Sequence, residues 1–459
     1  MVRRERWVLL VTLALLQVFA VAAGVHVITK IAGTPSAPIA SPKPTPTPII
    51  TAGAVLAAVG DAPLPAKGTL TARLTRALGD SALGRSSGGV VLDAETGAAL
   101  FDGRAEVALT PASTTKIVTA VAVLASVGPD ATFATKVVTG AAKNSIVLVG
   151  GGDPTLAGPK ESRDLYPRPA SLATLASRTA KALKAAKITT VTLGYDDSLF
   201  EGPVTPPGWK PTYVPEGSAS PVTALAIDEG RVAPGQSARV PDPPRAAAAA
   251  FASLLMKNGI KVDKNIKPVT AGQTAKELAR VESAPVYALV ERMLTMSDND
   301  LAEALARQVA IKEGLPHTFP GQAAAVHRVL GRLGLDKDIT ITDGSGLSIK
   351  NRITPTALAR LLAASVLPAN RDLHSLVTGL PIAGFTGTLH NRYDDSGSRP
   401  GRGLVRAKTG TLNGVNTLAG VAYTADGRLL AFAFMADDVP DPTAAVAALD
   451  RLATIVSQS

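Results

Sequence analysis

The sequence predicts an α+β fold, in which an antiparallel sheet with helices is interrupted by an inserted mixed α/β domain. Strand-like runs joined by turns occur near residue 90 and again after residue 404, and helical patterns accompany both. Between residues 131 and 280 the pattern changes to alternating strands and helices. A length of 459 residues, 46% of them apolar and 18% charged, suits two or three structural units with a large core.

Composition excludes several classes of function. The chain has no cysteine, which excludes disulfides, thiolate metal sites and cysteine nucleophiles. Its five histidines lack zinc-binding spacing, so we predict no metal and no cofactor. The net charge of +10 suggests an anionic neighbour. Aromatic residues make up only 4%, however, and the basic residues look dispersed along the chain, so we predict no nucleic-acid partner.

The N-terminal residues 1–30 are predicted to be a signal sequence or a membrane anchor. Three arginines precede a mostly apolar run, 7–28, an arrangement that a buried core helix rarely shows. Residues 31–64 form a predicted linker, because the repeated Pro, Thr and Ser favour an extended spacer. The remainder divides into a discontinuous domain, 65–130 and 281–459, and an inserted domain, 131–280.

The discontinuous domain begins with a predicted hairpin and a buried helix. Residues 88–92 and 98–102 are strand-like and flank a turn. Thr110 is a predicted helix cap and Pro111 the first helical residue, which would place Ser113 in the first turn of an apolar helix that ends near Val127.

Alternating elements follow along the rest of the chain. In the insertion we predict strands at 136–139, 145–149 and 188–194 and helices at 170–187 and 245–258. Residues 281–459 have predicted helices at 286–296, 301–312, 322–333, 355–364 and 442–456, and predicted strands at 404–412, 417–424 and 428–435. Short connections favour an antiparallel sheet that the early hairpin joins.

The first candidate for chemistry is Ser113-Thr114-Thr115-Lys116. Residues three apart share a helix face, so a neutral Lys116 could take the hydroxyl proton of Ser113 and leave a nucleophile. That requires burial and a second cation to lower the pKa of Lys116 toward neutrality. One such spacing is expected by chance in a chain of this length, so the motif alone is equally compatible with two unrelated helical residues.

Two further motifs are also ambiguous when taken singly. In Ser297-Asp298-Asn299, the hydroxyl could relay a proton and the amide could hold a substrate carbonyl, but the three residues also suit an ordinary helix cap. In Lys408-Thr409-Gly410-Thr411, the cation and hydroxyl could bind a carboxylate and the Thr411 N–H could bind an oxyanion. The alternative there is a solvated edge strand beside a glycine turn.

The combination favours catalysis. S-x-x-K, S-D-N and K-T-G in this order, each in its expected structural context, form the set found in penicillin-binding proteins and class A β-lactamases. The sequence resembles the D-alanyl-D-alanine carboxypeptidase/endopeptidases related to penicillin-binding protein 4, the class C low-molecular-mass penicillin-binding proteins. Further blocks share the resemblance: 109–116, the glycine-aspartate-proline signature at 150–156, 343–348, 380–384 and 387–389.

The resemblance implies a transpeptidase/β-lactamase-like domain with an insertion between the first two motifs. It implies that Ser113 is the acylated nucleophile, Lys116 its base and Ser297 a proton-transfer residue. Asn299, Lys408, Thr409, Gly410 and Thr411 would bind substrate, with the Ser113 and Thr411 N–H groups at the oxyanion. For 150–156 and 343–348 we derive no catalytic role, and turn or packing functions are the better interpretation.

The implied activity is hydrolysis of peptidoglycan stem peptides through an acyl-enzyme outside the cytoplasm, with β-lactams as further partners. The enzyme would be either secreted or anchored to the outer face of the cytoplasmic membrane. A β-lactamase is the nearest alternative, although the long insertion argues against it, and a non-catalytic wall-binding scaffold is the alternative from another class. The sequence specifies neither an oligomeric state nor the balance of carboxypeptidase and endopeptidase activity.

Overall fold

The computed structural model describes residues 62–160 and 165–459, and this part of the chain contains two large β-sheets and a short two-stranded one. The strands are β1 Ser86–Asp93, β2 Ala99–Gly103, β3 Ala134–Thr139, β4 Ser145–Val149, β5 Thr190–Asp196, β6 Lys261–Val262, β7 Lys267–Pro268, β8 Glu277–Glu282, β9 Ile339–Thr340, β10 Arg352–Ile353, β11 Val405–Leu412, β12 Val415–Tyr423 and β13 Leu429–Asp437.

Helices supply the other layers. The α-helices are α1 Lys67–Leu78, α2 Thr115–Ser126, α3 Leu172–Ala185, α4 Pro243–Lys257, α5 Val286–Met296, α6 Asn299–Lys312, α7 Phe319–Arg332, α8 Pro355–Val366, α9 His374–Thr378 and α10 Pro442–Ser457. Short 3₁₀ turns lie at Ser81–Leu83, Ala112–Thr114, Asp228–Gly230, Pro368–Leu373, Gly387–Leu389 and Arg399–Gly401.

The first sheet has five antiparallel strands in the order β11-β12-β13-β1-β2. The early hairpin pairs directly with the C-terminal strands, as the sequence predicted. Because β1 is bonded to β13, more than 300 residues later, the two ends of the folded chain close one domain around the intervening segment.

Both faces of this sheet are buried. Alternate residues of a strand point to opposite faces: in β13, Ala431 and Ala433 belong to a core with α2 and α5–α8, while Phe432 and Phe434 belong to a second core with α1 and α10. This double burial explains why β13 is apolar almost throughout instead of alternating with polar residues.

The second sheet is formed by the segment predicted as an insertion. Its order is β6-β5-β4-β3-β8, with β7 also on β5; β4, β5, β6 and β7 pair in parallel, and β3 is antiparallel to both neighbours. Helices α3 and α4 share one apolar core with this sheet. The mixed α/β architecture is therefore confirmed, while the domain boundaries at 130/131 and 280/281 stay a prediction.

The structure adds elements that the sequence patterns did not reveal. Helix α1 buries only Leu70 and Leu74, too few residues for a clear apolar stripe. Strand β8 alternates buried and exposed residues only from Ala279 to Glu282, which is too short a run for a clear strand signal. The predicted leader, 1–30, and linker residues 31–61 lie outside the described residues.

Candidate active site

The predicted nucleophile lies in a 3₁₀ turn, Ala112–Thr114, and not in the first turn of an α-helix. Helix α2 begins only at Thr115, so the prediction that Thr110 caps it was wrong. The physical reason is that the Thr110 N–H and hydroxyl bond instead to the Asp437 carboxylate, at 3.1–3.3 Å. Ala112, the first residue of the turn, adopts a φ of 48°, a left-handed conformation that strains a residue with a Cβ and separates Thr110 and Pro111 from the helical residues that follow.

Lys116 follows one turn later and is fully buried. Its Nζ donates to Ser113 Oγ at 3.0 Å, to Asn299 Oδ1 at 2.7 Å and to the Ser345 carbonyl at 2.7 Å. Burial lowers the pKa of Lys116 from 10.5 to about 8, against the opposing effect of nearby carboxylates, the largest of which is Asp343. A minority of Lys116 side chains are thus neutral amines at pH 7.

The Ser-Asp-Asn motif caps a helix, and two of its side chains also contact the buried lysines of the candidate site. The Asp298 side chain caps α6 by accepting the Leu301 N–H at 3.0 Å. Ser297, with a φ of 56°, ends α5 in a left-handed conformation, and its hydroxyl accepts from Lys408 Nζ at 2.9 Å. Asn299 accepts from Lys116 and donates Nδ2 to the Ser218 carbonyl at 2.8 Å, so part of its amide is already bound within the protein.

Lys408 is the second buried lysine of the site. Its Nζ also donates to the Thr409 carbonyl at 2.9 Å. Burial, together with the positive charges of Lys116 and Arg392, lowers the pKa of Lys408 well below its usual value. Burial is the largest cause of the lowered pKa of both lysines. The sequence reasoning expected a second cation beside Lys116, and Lys408 is a neighbouring cation.

Strand β11 carries the Lys-Thr-Gly motif on a partly free edge. The segment Pro381–Ala383 covers the edge up to Ala407, whose N–H donates to the Pro381 carbonyl. Because residues of equal parity direct their N–H groups to the same side of a strand, the N–H groups of Thr409 and Thr411 point toward the uncovered part of this edge. The Thr409 hydroxyl lies 2.8 Å from that of Thr388, in the block 387–389.

Gly410 allows a close backbone approach, but to the protein's own chain. A Cβ at this position would lie 2.1 Å from Thr417 Oγ1 and 2.7 Å from the Pro111 carbonyl oxygen. The glycine therefore lets β11 pack against the turn that holds Ser113.

The loop 343–348 belongs to the site, although the sequence suggested only a turn. Its Ser345 carbonyl accepts from Lys116, and a Cβ on Gly346 would lie 1.8 Å from the Ala112 carbonyl oxygen. The buried Asp343 carboxylate accepts from the N–H groups of Gly346 and Ser348 and from Asn351 and Trp209, at 2.7–3.0 Å.

Glu303 is the residue of this site that sequence reasoning missed. Fully buried in α6, it accepts the N–H groups of Gly344 and Ser345 at 2.8–3.1 Å. Burial and the neighbouring Asp343 raise its pKa to about 7. The available signal was a carboxylate within the apolar run Leu301–Leu305, where an acid rarely stays without a partner.

The glycine-aspartate-proline signature contacts α6, not the two lysines. Asp153 accepts from the N–H and hydroxyl of Thr155, and the Gly151 carbonyl accepts from Gln308 at 2.8 Å. These contacts agree with the turn and packing interpretation.

A second charged network lies behind Asp298. Glu229, Asp298 and Asp300 have the spacing of a metal site, yet arginines already bind their oxygens. Arg292 bridges Glu229 and Asp298, Arg231 pairs with Glu229, and Arg239 pairs with Asp300 at 2.8 Å. Chemically this is an ion-pair network that supports the start of α6.

Comparison with known proteins agrees with this geometry. The sequence matches the D-Ala-D-Ala carboxypeptidase 3 (S13) family over residues 70–238 and 233–456. Carboxypeptidase DacB of Mycolicibacterium smegmatis is 34% identical over 90% of this chain and 89% of its own, and a carboxypeptidase of Mycobacterium tuberculosis is 35% identical over 87% and 86%.

A solved structure shares the fold. Penicillin-binding protein 4 of Haemophilus influenzae superposes with a TM-score of 0.70 at 23% identity, covering 85% of this chain and 99% of its own. The same protein in complex with a β-lactam gives a TM-score of 0.65 at the same identity and coverage.

Proposed function

The chain belongs to the S13 family of D-Ala-D-Ala carboxypeptidases, and from that premise we propose that Ser113 is its acylated nucleophile and Lys116 the base. The enzyme is a serine-type D-Ala-D-Ala carboxypeptidase of the penicillin-binding family. The observation that carries the assignment of residues is the 3.0 Å hydrogen bond between Lys116 Nζ and Ser113 Oγ, with Lys116 buried and its pKa lowered to about 8.

Acylation starts when the neutral amine of Lys116 accepts the Ser113 proton. The hydroxyl oxygen then bonds to the carbonyl carbon between the two D-Ala residues, and the oxyanion is held by the N–H groups of Ser113 and Thr411. The free edge of β11 supports this role, because it directs the Thr411 N–H away from β12.

Departure of the terminal D-Ala needs a proton on its nitrogen. Ser297 relays it: its hydroxyl, which is held by Lys408, gives a proton to the leaving nitrogen and regains the proton that Lys116 took from Ser113, so that Lys116 is neutral again. The C–N bond breaks, the free amine leaves, and Ser113 remains as an ester. Water then hydrolyses the ester and restores the serine.

Substrate orientation depends on charge and on the strand edge. The terminal carboxylate binds Lys408 and Thr409, and the spare Nδ2 hydrogen of Asn299 binds the peptide carbonyl. Gly410 keeps β11 close to the nucleophile turn. β-Lactams would acylate the same serine, and their ring-opened amine stays attached, so the ester would persist.

Glu303 acts as a positioning residue in this proposal. By fixing Gly344 and Ser345, it holds the carbonyl that binds Lys116. Its negative charge also raises the pKa of Lys116. The loop 343–348 thereby gains a role that its sequence did not indicate.

As a cell-wall peptidase, the enzyme acts outside the cytoplasm on peptidoglycan peptides. Within residues 62–160 and 165–459, the structure contains no helix that is both long enough and apolar enough to cross a bilayer. We propose that residues 1–30 direct export, with cleavage giving a secreted form and retention an anchored one.

Release of D-Ala tests the proposed function. An N-acylated peptide ending in D-Ala-D-Ala should lose one D-Ala in the presence of the wild-type chain and none with Ser113→Ala. Rapid turnover of penicillin with no D-Ala release would favour the β-lactamase. The absence of both reactions would favour the non-catalytic scaffold. Cleavage of a cross-linked muropeptide under the same conditions measures the endopeptidase activity relative to the carboxypeptidase activity.

A further inference from the structure

The positive charge of the folded chain is concentrated in one segment. Residues 131–280 contain 19 Lys and Arg against 12 Asp and Glu. Residues 65–130 contain six of each sign, and residues 281–459 contain 17 of each sign. Apart from the leader, the whole excess of the protein therefore belongs to the segment that carries the second sheet.

Strand register gathers much of this charge at one end of that sheet. Lys261 starts β6 opposite Thr190, the first residue of β5, and Ser145 at the start of β4 faces Thr192. The turn between β3 and β4 and the start of β8 lie at the same end, because Thr139 pairs with Ile146 and Val138 with Glu277.

Helices α3 and α4 also finish at this end, since each leads into a parallel strand that starts there. A Cβ on Gly259, just after α4, would lie 3.4 Å from Lys184 Nζ of α3. We call the resulting surface the lysine end; its members are Lys143, Lys184, Lys187, Lys257, Lys261 and Lys276. Six basic residues that are far apart in the sequence thus lie at one end of the folded sheet.

These side chains are exposed and uncompensated. All six are exposed, and none forms an ion pair with any residue inside the described ranges. The acids in the same segments are Asp263 and Glu277, and Glu277 lies 3.9 Å from Arg280. Lys184 and Lys257 also suit the C-terminal turns of their helices, but that role leaves the other four unexplained.

The lysine end and the candidate active site lie toward opposite ends of the second sheet. The other end holds the start of β3 and the end of β8, which connect to α2 and α5, and there Gly151 is bound by Gln308 of α6. A ligand at the lysine end would therefore leave the edge of β11 free for substrate.

We propose that the lysine end binds a linear polyanion of the cell wall that carries phosphodiester groups. Ammonium groups are compact point charges that suit phosphates, and six of them on one surface match a chain of repeated negative charges. Binding would hold the enzyme within the wall while its active site faces the stem peptides.

One observation favours a polymer over an anionic lipid surface. Membrane-binding surfaces add large apolar side chains to their lysines. Among the described residues of these segments, Met256 is the one large apolar side chain that is exposed.

The test measures binding of fluorescent poly(glycerol phosphate) to the full chain at several salt concentrations. The triple variant Lys184→Gln, Lys257→Gln, Lys261→Gln should bind at least tenfold more weakly, with a slope of log Kd against log salt reduced by about 2–3. The matched control, Lys67→Gln, Lys312→Gln, Lys337→Gln, removes the same charge elsewhere and should stay within twofold of wild type.

Both triple variants should release D-Ala from a short peptide at the wild-type rate, which separates this proposal from the proposed function. Equal weakening by the two triple variants, or no polymer binding by the wild type, would overturn the proposal. So would binding to phosphatidylglycerol vesicles without binding to the polymer, because the partner would then be a membrane.

Discussion

Lys116 Nζ donates a 2.7 Å hydrogen bond to the Ser345 carbonyl and so joins the helix of the predicted base to the loop 343–348. Glu303 binds two N–H groups of that loop from the buried side. The position and the charge of the amine therefore depend on residues outside the three motifs, and the predictions below follow from this arrangement.

The acylation rate should rise with pH through a midpoint near 8. Burial lowers the pKa of Lys116 to about 8, so below that pH most side chains are ammonium groups that accept no proton. As pH increases, the neutral fraction grows and the rate approaches a plateau. Stopped-flow acylation by a chromogenic β-lactam between pH 6 and 9.5 measures the profile. A rate that is flat over this range would contradict the role of Lys116.

The Glu303→Gln substitution should move that midpoint to lower pH, by up to about one unit, because it removes a negative charge that raises the pKa of Lys116. The new amide oxygen can still accept from Gly344 and Ser345. Once the Gln322 amide rotates, the new NH₂ has a buried acceptor in Gln322 Oε1, which has no hydrogen-bond partner among the described residues. The acylation rate at the high-pH plateau should therefore fall only a little. An unchanged midpoint would mean that the charge of Glu303 does not affect the pKa of Lys116 and that its role is structural only.

The Glu303→Ala substitution should be much more harmful than Glu303→Gln. It leaves the buried N–H groups of Gly344 and Ser345 without an acceptor, which costs about 2–3 kcal/mol of unfolding free energy. The plateau rate should also fall more than tenfold, because the Ser345 carbonyl is no longer fixed. Urea unfolding and the acylation profile measure the two effects; equal behaviour of the Ala and Gln variants would refute the distinction.

Binding of a peptide carboxylate should take up a proton at Lys408. Burial and the charges of Lys116 and Arg392 lower the pKa of Lys408, and a bound carboxylate raises it again. Calorimetry on Ser113→Ala in buffers of different ionisation enthalpy, repeated at several pH values, measures the uptake, which is largest between the pKa values of the free and the bound enzyme. A peptide with a C-terminal amide is the control and should give none. Equal uptake for both peptides would place the carboxylate elsewhere.

The buried pair of Asp93 and Arg428 should contribute strongly to stability. It joins β1 to the turn between β12 and β13 at 2.7 Å, with Asp93 fully buried. Asp93→Ala removes both charge-assisted hydrogen bonds of this pair, while Glu95 still contacts the guanidinium, and should lower the unfolding free energy by about 2–3 kcal/mol. Glu95→Ala removes an acid 3.0 Å from the same arginine but half exposed, and should cost less than about 1 kcal/mol. Comparable losses would contradict the importance of burial.

Local sequence predicted the parts of the site that lie in short motifs. Helix α5 spans the predicted residues 286–296, since apolar periodicity acts over a few residues. The nucleophile turn was mispredicted because the Thr110 partner, Asp437, lies more than 300 residues away. Glu303 and the lysine end were missed for the same reason: their meaning depends on contacts between distant segments.

The most direct test of the mechanism is to map the acyl adduct by mass spectrometry. After incubation with benzylpenicillin, the wild-type chain should carry one adduct, located by proteolysis on the peptide that contains Ser113. Ser113→Ala should carry none, and Lys116→Ala should acylate far more slowly, while the control Lys312→Ala behaves as wild type. An adduct on another residue, or a near-normal acylation rate in Lys116→Ala, would contradict the assignment of Ser113 as nucleophile and Lys116 as base.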